Sequence, residues 1–173
     1  MKKTLIIAVI ASLVSPLLAE SPAQQAAAFY KQGQDAEKAG DPVAAKTAYA
    51  NALKADPSNA NARYSLGQLK INSASIAAKG REAKFGAVMI PAFQIEEATL
   101  QEALDALAIM VEKESKKEVT PNFVIDDPNK ALSNRKLTLN LKNMPAKAVL
   151  KYLTDQSNTK VRYDEHAVVI SAR

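Results

Sequence analysis

Residues 89–111 read MIPAFQIEEATLQEALDALAIMV, and the period of the apolar residues changes inside this stretch. Ile90-Pro91-Ala92-Phe93-Gln94-Ile95 alternates, which predicts a strand that Pro91 confines to a sheet edge or a strand start. Thr99-Leu100-Gln101-Glu102 then forms a capping-box sequence, in which Thr99 bonds the amide of residue 102 and Glu102 reaches back. Behind it Leu100, Ala103, Leu104, Leu107, Met110 and Val111 fall on one helical face. Downstream, Phe123-Val124-Ile125 is a short apolar strand ending at Asp126-Asp127-Pro128. Leu137, Leu139 and Leu141 alternate with Thr138, Asn140 and Lys142, a half-buried strand. Pro145 opens a second helix with Ala146, Val149, Leu150 and Leu153 as its buried stripe. Val161-Arg162-Tyr163 and Val168-Val169-Ile170 flank Asp164-Glu165-His166 as a hairpin. The expected order over residues 89–173 is βαββαββ, and the expected class is α+β.

Upstream, residues 22–72 are rich in alanine and helical in period. Asp41-Pro42 reads as a helix cap followed by proline at the first helical position. Gly40 just before it ends the preceding helix in a left-handed conformation. The helices are then roughly 22–39 and 42–55, with Asp56-Pro57-Ser58-Asn59 as a turn and a third helix starting near Ala60. This helical hairpin resembles one tetratricopeptide repeat. In a frame of about 34 residues counted from Ala26, the signature places fall on Phe29, Gly33, Gly40, Ala45, Tyr49, Ala52 and Pro57. Small Gly33, Ala45 and Ala52 let two helices approach, and Phe29 and Tyr49 fill the space beside them. A following repeat has Leu66-Gly67 in phase but Lys70 at a usually aromatic place, so one repeat plus a helix is expected. Residues 73–88, with Lys79, Arg81 and Lys84, read as a helix extension or a basic linker whose charges form a solvated face.

Met1-Lys2-Lys3-Thr4, the apolar run from Leu5 to Val14 and Ser15-Pro16-Leu17-Leu18-Ala19 carry the marks of a secretory signal peptide over residues 1–19. The expected location is periplasmic or secreted, with no transmembrane segment in the mature chain, because no later apolar run approaches the length of a spanning helix. The expected layout is a leader (1–19), a helical domain (20–72), the segment 73–88 and an α/β module (89–173).

Of the 173 residues, 23 are Lys or Arg and 18 are Asp or Glu, a net +5 that falls to about +3 when Lys2 and Lys3 leave with the leader. That charge is too small and too scattered to indicate a nucleic-acid partner. There is no cysteine, which excludes disulfides, Cys-ligated zinc and thiol nucleophiles. A single histidine, His166, and five glycines leave no His cluster and no Gly-rich phosphate loop.

Residues 89–173 resemble the secretin and TonB short N-terminal domain, the first periplasmic domain of outer-membrane secretins. The likeness runs through Ile90-Pro91, Phe93 to Leu100, Glu102-Ala103-Leu104 and Asn122-Phe123-Val124-Ile125. It continues through Leu137 to Pro145, Ala148 to Leu153 and His166 to Ile170. The resemblance implies a docking and ring-forming unit without catalytic residues. The chain reaches Arg173 with no second secretin domain and no barrel, so the expectation is a partner of such an assembly and not the pore.

The residues support no better chemistry. His166 stands in a turn beside Asp164 and Glu165 without a second imidazole. The pairs Glu96-Glu97 and Asp126-Asp127 lie on strands whose successive side chains diverge, and Asp126-Asp127-Pro128-Asn129 reads as a turn. Phe29, Tyr30 and Tyr49 have the spacing of a core more than of a glycan-stacking platform. No enzyme, no cofactor and no metal are expected. The expected function is a non-catalytic cell-envelope interaction module docking to a secretin, secretion or pilus-assembly component, with self-association as a further partner class. The strand edges near Phe93 and Ile95 or Val168 and Ile170 are the expected docking residues, through β-augmentation. The alternative is a sensory module that binds a glycan or peptidoglycan fragment.

Overall fold

The computed structural model describes residues 20–128, 132 and 135–173; the expected leader, residues 1–19, lies outside them. Helix α1 (Pro22–Lys38) begins at a capping box, with the Ser21 amide donating to the Gln24 side chain (2.8 Å) and the Gln24 amide to the Ser21 hydroxyl (3.2 Å). It ends at Gly40, whose φ of +72° is a left-handed conformation that glycine adopts without a Cβ penalty. There the Gly40 amide donates to the Glu37 carbonyl and the Asp41 amide to the Ala36 carbonyl, the bond pair that closes a helix through a left-handed residue. Asp41 then accepts from the Ala44 amide (2.9 Å) and starts α2 (Pro42–Ala55). Asn59 does the same for α3 (Ala60–Ala87) through the Ala62 amide (2.9 Å).

Helix α3 runs unbroken for 28 residues, roughly 40 Å, so the segment 73–88 continues the third helix. Its first half packs on the hairpin, burying Ala62 and Leu69; near its end Phe85 is buried in a different core. Between them Gly80 lies against the backbone of Gly40, too close for a side chain on either residue. Just beyond, the Arg81 guanidinium donates to the carbonyls of Asp164 (3.2 Å) and Glu165 (2.6 Å). One helix therefore belongs to both halves of the molecule.

Strand β1 (Met89–Thr99) pairs antiparallel with β3 (Lys136–Pro145), Met89 opposite Pro145 and Thr99 opposite Lys136. The register shifts between Ile95 and Ala98, where Glu97 takes a φ of +47° and its amide donates to the Thr138 hydroxyl (3.1 Å). This bulge carries β1 past the expected end at Ile95 and delivers it to the Thr99 cap. Helix α4 (Leu100–Glu114) leaves the ribbon at that end, and α5 (Ala146–Gln156) leaves at the other, from Pro145. The Ala146 amide donates to the Val88 carbonyl (2.8 Å), which joins the start of α5 to the end of α3.

The second sheet contains β2 (Phe123–Asp126), β4 (Thr159–Tyr163) and β5 (Val168–Ala172), in the order β2-β5-β4, with β2 parallel and β4 antiparallel to β5. This order overturns the expected docking edge at Val168 and Ile170. Strand β5 is flanked by strands on both sides, and both side chains are fully buried. Among the described residues the fold is α+β, with five helices and two small sheets.

Two cores result. Leu100, Leu104, Leu107, Val149, Leu153 and Ile170 anchor the α/β core, to which α3 contributes Phe85. The Phe85 ring meets Phe123 edge-on (centroids 5.9 Å, 86° between planes) and lies 6.3 Å from Tyr163. The hairpin core is smaller: Ala45, Tyr49 and Leu69, with Tyr30, Ala36, Leu66 and Ile76 around them.

Candidate docking groove

The hydrogen bond from Ala146 to Val88 fixes the start of α5 beside the last turns of α3, and β4 follows α5 through a short turn. These three elements enclose an open groove of about 880 Å³. Its floor carries half-buried Ala148, Val161 and Tyr163. One wall is β4, which pairs with β5 on one side and with no described strand on the other. The opposite wall is a row of α5 side chains four residues apart, Lys147, Lys151 and Asp155, a spacing that puts them on one face.

The rim is charged and internally paired. Lys147 of α5 meets Glu82 of α3 (2.5 Å). Asp155 accepts from Lys151 and also from Arg173 at the end of β5 (2.5 Å). The bond from Lys151, then that from Arg173, holds the Asp155 carboxyl below its ordinary range. Burial, then the nearby Glu82 carboxylate, pushes the Tyr163 phenol up to about 12. Lys160 of β4 also borders the groove and is exposed. An apolar floor, a strand edge and a mixed-charge rim suit an extended segment laid along β4.

The residues singled out from sequence fall elsewhere. Phe93 is fully buried and Ile95 half-buried against the α/β core. They lie on β1, which among the described residues pairs with β3 alone and so has an open edge there, but the Phe93 side chain cannot reach a partner. The Glu96-Glu97 pair sits at the bulge and is exposed. His166 is exposed, 3.8 Å from Glu165, and among the described residues no three His, Asp or Glu groups gather to hold a metal ion. Tyr30 and Tyr49 pack on each other (5.6 Å) inside the hairpin. Burial, then a hydrogen bond to Glu37, raises the Tyr49 phenol well above its ordinary value.

Sequence reasoning placed a strand at Val161–Tyr163 but missed that β4 is an open edge, and it missed the charged row on α5. The recurrence of Lys147, Lys151 and Asp155 every fourth residue was available as a signal. The strand order that leaves β4 at an edge was not, because the hairpin pattern of β4 and β5 is the same whichever strand lies outside. No protein-family model, no curated protein and no solved structure matches this chain.

Proposed function

We propose that this chain is a non-catalytic protein–protein interaction module of the cell envelope. Its helical hairpin is of tetratricopeptide type, and its α/β unit is of secretin and TonB short N-terminal type. It docks onto an envelope-assembly protein, a secretin or a secretion or pilus component, and works in the periplasm or outside the cell. The observation that carries the reading is the open side of β4 facing the groove: a partner strand there gains main-chain hydrogen bonds, and the pockets beside it select side chains. The leader-like residues 1–19 support the location.

The test is photo-crosslinking in intact cells from probes placed at Lys151 and Lys160, with mass spectrometry of the attached protein. Adducts to an envelope-assembly protein from both positions, and not from a probe at Val124 on the far strand, support docking along β4. Equal labelling from all three positions, or none beside efficient control proteins, refutes it. The groove's volume also lies in the range of small-molecule sites, about 300–1,000 Å³, which gives the glycan-binding alternative its footing. A specific glycan would raise the melting temperature by linkage, whereas the docking reading expects no shift with peptidoglycan fragments.

A further inference from the structure

A second surface lies on α3, away from the groove. Ala60, Tyr64, Gly67, Ile71 and Ala74 recur at spacings of three and four, on the face opposite buried Ala62 and Leu69. Two large apolar side chains there are bare, Tyr64 at 69% and Ile71 at 77% exposure. The same line continues through Ala78 and Glu82 to Phe85. There it is covered: Glu82 pairs with Lys147 and Phe85 is buried in the α/β core. The bare stripe thus prolongs an interface the molecule already uses.

Gly67 marks a notch in the stripe, since a side-chain carbon there would meet nothing within 4 Å. Gly33 of α1 is the equivalent notch one repeat length earlier, about 34 residues, and it is filled: the Tyr49 ring of α2 lies directly over it. From Ala60 to Arg81, α3 carries Arg63, Lys70, Lys79 and Arg81 and no acidic residue. Arg63 and Lys70 border the stripe and are exposed.

We infer that this face of α3 docks an amphipathic helix of another protein, with an apolar stripe along Tyr64 and Ile71, an aromatic ring over Gly67 and acidic flanks beside Arg63 and Lys70. A second copy of this chain is the poorer occupant, because pairing α3 with itself sets basic flank against basic flank. The surface is separate from the β4 groove, so either can fail without the other.

The chain contains no tryptophan, so a tryptophan in a probe peptide reports binding directly. The probe is a helical peptide of roughly 18 residues, five turns, with a leucine stripe, one central tryptophan and glutamate flanks. A twin peptide has lysine flanks. The mature chain is expected to blue-shift the glutamate probe and not its twin, with affinity falling as salt rises. Ile71→Glu is expected to weaken binding at least about tenfold. Gly67→Ala is expected to weaken it about fivefold with no loss of melting temperature, since the added methyl enters open space. Ile109→Glu, at an equally bare position on α4, leaves affinity unchanged. Equal binding or no binding of the two peptides, or indifference to both α3 substitutions, overturns the inference. So does sedimentation showing a dimer that Ile71→Glu dissociates, which would give the face to a second copy.

Discussion

The hairpin and the α/β unit are held together by different means. In the hairpin the buried positions are mostly alanine (Ala26, Ala45, Ala48, Ala52 and Ala62), and Tyr49 and Leu69 are its large buried side chains. Its helices are close because Gly33 leaves room for the Tyr49 ring and Gly80 for the backbone of Gly40. The α/β unit instead fills its interior with leucine, valine and isoleucine from both helices and both sheets. Small residues bury little apolar area and gain stability from close approach, whereas large ones gain it from area removed from water. The first arrangement is sensitive to added atoms and the second to removed ones.

Removing atoms from the α/β core should have the largest effect. Leu153→Ala is expected to cost about 2–5 kcal/mol, because Leu153 is fully buried on the inner face of α5; denaturant unfolding measures it. A loss well under 1 kcal/mol would mean that α5 is not fixed on the sheets, and the contrast between the two halves would fall. Adding one carbon to the hairpin contact comes next. Gly80→Ala sets a methyl against the Gly40 backbone, which has no flexible end to move aside, and overpacking of this kind costs about 1–3 kcal/mol. It should also separate thermal unfolding into two transitions, since Gly80 and Arg81 lie where the hairpin turn, α3 and the β4–β5 turn meet. A single unshifted transition by circular dichroism would show that the two halves do not communicate there.

How much of this was readable depended on whether the signal was local. The bounds of α2, the Asp41 and Asn59 caps, the Thr99–Glu102 box and the left-handed Gly40 were all legible, because each is decided by a few neighbouring residues. The burial of Leu100, Leu104, Leu107, Val149 and Leu153 was legible from period alone. The continuity of α3 was not. Asn72-Ser73 and Gly80 weaken a helical reading, and only the two faces of α3, each packed on a different half, show why the helix continues. The bulge at Glu97 and the central position of β5 depend on partner strands far away in sequence. For that reason the docking residues assigned to Val168 and Ile170 fell on buried positions, while the open edge at β4 went unnoticed.

Helix ends allow a finer comparison. Helix α1 closes through Gly40, whereas α4 closes through Lys116, with a φ of +54° and with its amide bonded to the Lys113 carbonyl and that of Lys117 to the Glu112 carbonyl. A left-handed residue with a Cβ carries a penalty of about 1 kcal/mol that glycine avoids. Lys116→Gly should therefore stabilise the chain by up to about 1 kcal/mol, even though glycine loses more entropy on folding. A destabilised Lys116→Gly protein would mean that the lysine side chain contributes a contact outweighing the backbone strain.

The smallest effect separates the halves by pH. Both α1 and α4 begin with a capping box, but the reaching side chain is neutral Gln24 in one and ionised Glu102 in the other. Bonds from the Thr99 amide (2.7 Å), then from the Thr99 hydroxyl (2.8 Å), hold the Glu102 carboxyl below its ordinary range. A carboxyl with a lowered folded pKa stabilises the chain above the ordinary glutamate value. That contribution disappears as pH falls through the lowered one. Acid should therefore loosen the start of α4 and leave α1 unaffected, and hydrogen exchange at the Thr99 and Ser21 amides reads both at once. Glu102→Gln, which turns the α4 box into the neutral kind, should abolish the difference. If the Ser21 amide opened with acid as readily as that of Thr99, the carboxylate would not be what distinguishes the two caps.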